Sequence, residues 1–260
     1  MDLLTKILLA SLLSGLFGLV GGMVLLIKKT WVKKFSLHLI SFAVGALLAT
    51  AILDLLPEAL ELATEGSGNL FMALLGGIVV FFVLERFTIQ FHPHHQEDLA
   101  EFDEAGEPIH HHATPKLLLI GDTVHNFIDG ILITVTFLAD PGLGILTAVA
   151  VAAHEIPQEI GDFSVMLHHG WSRAKVLAGN IVSALASVVG ALAAYALKDS
   201  IIPFVPELMA FTAGVFIYIA IADLIPEVTA KTARDRTWHV FALLVIGIIS
   251  VQVLHMYLEG

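Results

Sequence analysis

Eight times along its 260 residues, this chain runs for about 20 mostly apolar residues, the length a helix needs to cross a bilayer. The runs are about 4–27, 35–56, 70–91, 117–138, 143–166, 174–197, 204–225 and 238–258. Backbone groups in hydrocarbon must be satisfied within the protein, and a helix does so segment by segment. Strand-like alternation is missing over these lengths. Composition agrees: 57% of residues are hydrophobic and only 14% charged, with a mean hydropathy of +0.87. Soluble domains average about 45–50% and about 25%. The expected fold is an all-α membrane protein of eight transmembrane helices, one domain over 1–260. The first run is longer than a signal-peptide core of about 7–15 residues, so it is expected to be a retained helix. The chain has no cysteine, which excludes disulfides and thiolate metal ligands. A net charge of −11 argues against nucleic acid as a partner.

Positive charge orients such a chain, because Lys and Arg collect on the cytoplasmic side. With the N-terminus outside, the odd-numbered connections are cytoplasmic. They then hold Lys28, Lys29, Lys33, Lys34, Arg86, Lys116, Arg173, Lys175, Lys231, Arg234 and Arg236. Only Lys6 and Lys198 fall outside, so 11 of the 13 Lys and Arg lie on one side. Both termini are expected outside a cytoplasmic membrane.

Residues 42–59 (FAVGALLATAILDLLPEA) and 211–228 (FTAGVFIYIAIADLIPEV) are identical at eight of 18 positions, at a constant offset of 169. Both end in Asp-Leu-(Leu/Ile)-Pro-Glu. In the topology above the two copies run in opposite directions through the membrane. That implies a 3+2+3 arrangement: spans 1–3 and 6–8 form an inverted repeat around spans 4 and 5, a construction common in transporters. Asp54 and Glu58 would then mark an outer mouth, and Asp223 and Glu227 an inner one. A helix end that merely stops at an interface could also produce the shared pattern.

Spans 4 and 5 break the apolar rule. Span 4 carries Asp122, His125 and Asp129 on one stripe, with Asn126 about 100° round the helix. Span 5 carries His154 and Gln158 on one stripe and Glu155, Glu159 and Asp162 on its neighbour. An ionisable side chain at the bilayer centre costs about 2.5–3.5 kcal/mol on insertion scales. So many in two adjacent spans must face each other or water. Imidazole, carboxylate and amide oxygens together suit borderline divalent ions such as Zn²⁺, Fe²⁺ and Mn²⁺. The plainer alternative is interhelical hydrogen bonding. Pro157 removes one helix hydrogen bond beside the cluster.

"HNFIDG" (125–130) followed by "HEIPQEIGDF" (154–163) resembles the paired helix-4 and helix-5 signatures of the ZIP family (Zrt-, Irt-like proteins), divalent-metal transporters. The resemblance implies import of Zn²⁺, or of Fe²⁺, Mn²⁺ or Cd²⁺, through a two-metal site between those helices. It would place His125, Asp129, His154 and Gln158 at the main site. Asn126 and Glu155 would form the second, with Asp129 and Gln158 shared; Glu159 matches the second acidic position of the helix-5 motif. Asp122 and Asp162 extend the polar path. It further implies a homodimer in which helices 1, 4, 5 and 6 move against 2, 3, 7 and 8. Asp129 stands where many members have Glu, and Gln158 where others have His or Glu, which bears on ion preference.

The third connection (92–115) holds His92, His94, His95, His110, His111 and His112 among six acidic residues, a loose set for metal capture. His168 and His169 could extend an inner route. Asn180, Ser183 and Ser187 form a stripe on span 6 that fits close helix packing, and His239 and His255 are expected at the membrane interfaces. Two other functions compete with metal import. A proton-coupled carrier of an organic substrate could use the His and carboxylate stripes as a relay. An intramembrane metalloprotease would need H-E-x-x-H, whose second His is here Gln158.

Overall fold

A computed structural model describes residues 2–27, 29–63, 69–90, 115–231 and 237–259. Among them every regular element is helical. In chain order these are α1 (Leu3–Ile27), α2 (Lys29–Ala49), α3 (Leu56–Leu62), α4 (Leu70–Gln90), α5 (Pro115–Ala139), α6 (Pro141–His168), α7 (Arg173–Ala196), α8 (Lys198–Ile201), α9 (Val205–Tyr218), α10 (Ile225–Lys231) and α11 (Thr237–Glu259). Six described stretches are long and apolar enough to cross a membrane: Leu3–Val24, Leu37–Leu62, Leu118–Ala139, Arg173–Ala196, Lys198–Thr229 and Trp238–Leu258. A shorter apolar helix covers Leu70–Leu84. The run expected at 143–166 is not among them, because α6 carries Glu155, Glu159 and Asp162 in its middle.

The repeat seen in the sequence reappears in the backbone. A six-residue π-helical segment joins α2 to α3 at Thr50–Leu55, and another joins α9 to α10 at Ile219–Leu224. In each, the residue after the segment donates its N–H five residues back, Leu56 to Ala51 and Ile225 to Ala220. The cause lies one residue further on, in Pro57 and Pro226. Proline has no N–H to offer and its ring crowds the carbonyl four residues back. Widening the turn absorbs both defects, and such π-bulges recur at functional sites.

Glycines set the close helix crossings, and these repeat as well. A Cβ on Gly45 of α2 or Gly247 of α11 would fall well inside contact distance of the facing carbonyls of Leu244 and Phe42. Gly214 of α9 and Gly77 of α4 meet the carbonyls of Leu74 and Phe211 in the same way. Backbone atoms cannot rotate aside, so a larger residue must spread the helices, and overpacking costs about 1–3 kcal/mol. Gly45→Val or Gly214→Val should therefore lower the thermal midpoint of the detergent-purified protein by several degrees. Gly76→Ala, whose Cβ would meet only the Phe211 ring at 3.9 Å, should leave it unchanged.

The most extensive pairings are α5 with α7, α1 with α6, α4 with α9 and α2 with α11. α5 also packs on α6, and α1 on α7. α1 and α7 thus pack around the α5–α6 hairpin, making a group of four helices. An apolar cavity of about 220 Å³ lies where α5 meets α4 and α9, lined by Phe81, Ile128, Leu132 and Phe211 among others.

Candidate metal site

The α5–α6 hairpin puts its polar residues level with one another. α5 ends at Ala139 and α6 begins at Pro141, with only Asp140 between them. Asp140 caps α6: its Oδ1 accepts from the N–H groups of Gly142 (2.7 Å) and Leu143 (3.1 Å). Proline at the first helical position suits this start, since its missing N–H has no partner there anyway. His125 lies about as far before this tight turn as His154 lies after it, so two antiparallel helices bring them together. Their Nε2 atoms are 3.1 Å apart.

Two carboxylates close the group. Asp129 Oδ2 is 3.5 Å from His125 Nε2 and 3.7 Å from His154 Nε2. Glu155 Oε1 is 3.4 Å and 3.7 Å from the same two atoms. Zn–N bonds of about 2.0–2.1 Å in a tetrahedron separate the donors by about 3.3 Å. The five measured separations bracket that edge length. His154 and both acids are buried to within 1%. The orientation of His154 is fixed from behind: its Nδ1–H donates to the Ala150 carbonyl at 3.2 Å, which leaves the Nε2 lone pair facing the group. That is the usual device for orienting a metal-binding imidazole. Phe81 packs edge-on against His125, with ring centroids 5.4 Å apart, and Phe216 against His154 at 6.5 Å.

A second group adjoins the first. Asp122, Glu155 and Glu159 present carboxylate oxygens within 4.8 Å of one another, all three buried. Both oxygens of Glu155 and both of Glu159 lack a hydrogen-bond partner. Buried oxygens of this kind carry a large cost unless something cationic balances them. Asn126 Nδ2 donates to the Asp122 carbonyl oxygen (3.2 Å) and Oδ1 (3.1 Å), which holds that carboxylate in place.

The expected residues fall as follows. His125, Asp129 and His154 meet in the first group, where Glu155 joins them. Glu155 belongs to both groups. Asp122, read as part of the path, sits in the second with Glu159. Gln158 is half-buried, one turn beyond His154, and Asp162 is buried. Asp54 is buried and Glu58 half-buried, while Asp223 is exposed and Glu227 half-buried. The six loop histidines and the His168 side chain lie outside the described residues. Ser187 donates to the Ser11 carbonyl across to α1 at 2.9 Å, and Asn180 Nδ2 to the Val176 carbonyl at 2.8 Å.

Sequence reasoning overlooked what makes room for the site. Gly18 of α1 faces Glu155, where a Cβ would lie 2.9 Å from that of Glu155. Gly22 passes over the ring of Phe163 in the same way. The Gly18, Gly21 and Gly22 spacing was the available signal, since small residues in a span mark close approach.

A family model described as ZIP zinc transporter matches residues 3–117 and 92–255. The chain belongs to the ZIP zinc transporter family. Human zinc transporter ZIP4 is 28% identical over 269 residues, covering 81% of this chain and 41% of that protein. Zinc transporter ZIP13 of Pongo abelii is 29% identical over 240 residues, 85% of this chain and 67% of that protein. Zinc transporter ZIP10 of Danio rerio reaches 38% over 120 residues, 46% of this chain and 14% of that protein. The chain thus spans well under half the length of the ZIP4 relatives it matches. The family is one of transporters, not of enzymes, which disposes of the protease reading of "HEIPQ".

Proposed function

We propose that this ZIP-family protein imports divalent transition-metal ions, Zn²⁺ first among them, across a cytoplasmic membrane with both termini outside. The carrying observation is the four-donor set of His125 Nε2, His154 Nε2, Asp129 Oδ2 and Glu155 Oε1, in which the imidazoles stand 3.1–3.7 Å from each other and from both carboxylates inside a helical bundle. Two imidazoles and two carboxylates suit Zn²⁺ and admit Fe²⁺, Mn²⁺ and Cd²⁺. The oxygen-only group of Asp122, Glu155 and Glu159 is the second metal position. Eight spans in a 3+2+3 inverted repeat account for the paired π segments and paired glycine crossings. Asp54 and Glu58 then lie at the outer mouth, and Asp162, Asp223 and Glu227 on the way in. The four helices packed around the site move against the rest as a dimer subunit's carrier, and the apolar cavity beside α5 leaves that boundary loosely packed. The loop at 92–115 captures metal transiently on the cytoplasmic side.

Proteoliposomes holding the purified protein should accumulate ⁶⁵Zn²⁺ saturably, with unlabelled Fe²⁺, Mn²⁺ and Cd²⁺ competing; accumulation no greater than in empty vesicles would refute the reading. Ligating imidazoles must be neutral and carboxylates ionised, so metal binding competes with protons. Zn²⁺ affinity should fall by about tenfold or more between about pH 7.5 and 5.5. Affinity constant over that range would argue against His125 and His154 as ligands.

A further inference from the structure

Asp54 keeps company that its sequence position did not announce. It sits in the π segment of 50–55 with its side chain fully buried. Gln252 Nε2 of α11 donates to its Oδ1 at 3.1 Å, and His255 Nδ1 stands 3.2 Å from the same oxygen. Gln252 and His255 are three residues apart and so share one face of α11. The His255 side chain is 23% exposed, against none for Asp54. The cluster therefore grades from accessible imidazole to enclosed carboxylate.

We propose that Asp54, Gln252 and His255 form an intake site for a divalent cation, which hands the ion to the four-donor site on α5 and α6. One carboxylate, one imidazole and, once the Gln252 amide turns its oxygen inward, one amide oxygen supply three donors of the right chemistry, and the carboxylate and imidazole already stand 3.2 Å apart, close to a tetrahedral edge. The set is poorer in charge than the central one, which has two carboxylates, so it holds an ion loosely enough to pass it on. Oxygen donors continue inward. Thr50, four residues before Asp54, has a buried hydroxyl with no hydrogen-bond partner. The π segment packs against α6, where Thr147 has another such hydroxyl. Thr147 and His154 are seven apart, hence on one face of α6. The fold itself does not demand this enclosure. In the other half of the repeat α4 pairs with α9 as α11 pairs with α2, yet Asp223, 169 positions after Asp54, is exposed.

The intake role rests on the transport reading; binding of the ion does not. Because the chain lacks cysteine, His255→Cys introduces a single thiol as a reporter. In the purified protein, Cd²⁺ should raise a saturable thiolate-to-metal absorption band that Zn²⁺ suppresses. Adding Asp54→Asn or Gln252→Leu should weaken Cd²⁺ binding by about tenfold or more, as losing a supporting group does at metal sites. No band, or a band indifferent to both additions, overturns the site. His255→Gln keeps a donor to Asp54 and gives up the imidazole. It should raise KM for Zn²⁺ uptake about tenfold with little change in maximal rate. A wild-type KM would mean that His255 only braces α11 against α2. Absent band with uptake still dependent on His154 sinks the intake site alone; a band with uptake indifferent to His154 sinks the transport reading alone.

Discussion

Proteoliposomes carrying His154→Ala should take up Zn²⁺ at less than about one-hundredth of the wild-type rate, more than the 10–100-fold that losing a mere supporting group costs. The expectation follows from position. His154 is 1% exposed and contributes one of two nitrogens to a group whose other members are acids. Its Nε2 is 3.1 Å from His125 and 3.7 Å from both Asp129 and Glu155. Without it the site keeps one nitrogen, and both carboxylates must share the ion with water. Truncation also opens a space beside Phe216, so His154→Leu, which fills more of it without a donor atom, should be tested alongside. Both variants should elute as folded protein and both should lose uptake. Recovery of uptake in the Leu variant would reduce His154 to a packing residue.

Glu155→Gln should weaken metal binding at both groups together. The side chain is the corner they share: Oε1 faces the two imidazoles at 3.4 and 3.7 Å, and the same carboxylate closes on Asp122 and Glu159. Removing its charge deprives each position of an anionic donor. Equilibrium dialysis of Zn²⁺ would read this best in a chain whose six loop histidines are replaced by alanine, so that only the spans bind. The dissociation constant at each position should rise by about 10–100-fold. Asp122→Asn should weaken only the oxygen-only position. If Glu155→Gln spares one position entirely, the two groups are not joined through that residue.

Much of this was legible in the sequence, for identifiable reasons. Length and apolarity favour helices in a bilayer, and six of the eight expected runs reappear among the described residues as helices long and apolar enough to cross one. The repeat was visible because prolines and glycines leave marks: Pro57 and Pro226 widen the helix into π turns, and Gly45 and Gly214 face carbonyls at equivalent crossings. The histidines and acids of 122–162 were legible because charge inside an apolar run demands a purpose. What sequence could not supply was the facing geometry between helices. Helical spacing sorted Glu155 away from His154, yet the hairpin swings Glu155 into the same group. His255 and Gln252, 198 residues or more from Asp54 along the chain, gave no local sign of meeting it, since α11 is apolar on nearly every side. Gly18 looked like ordinary span composition until α1 was seen to lie against Glu155.

The most direct test of the account is diffraction from crystals of the Zn²⁺-loaded protein on either side of the zinc absorption edge. An anomalous peak should lie among His125, Asp129, His154 and Glu155, at about 2.0–2.1 Å from each imidazole nitrogen. Crystals saturated with Zn²⁺ that show density for these four side chains and no anomalous peak between them would contradict it.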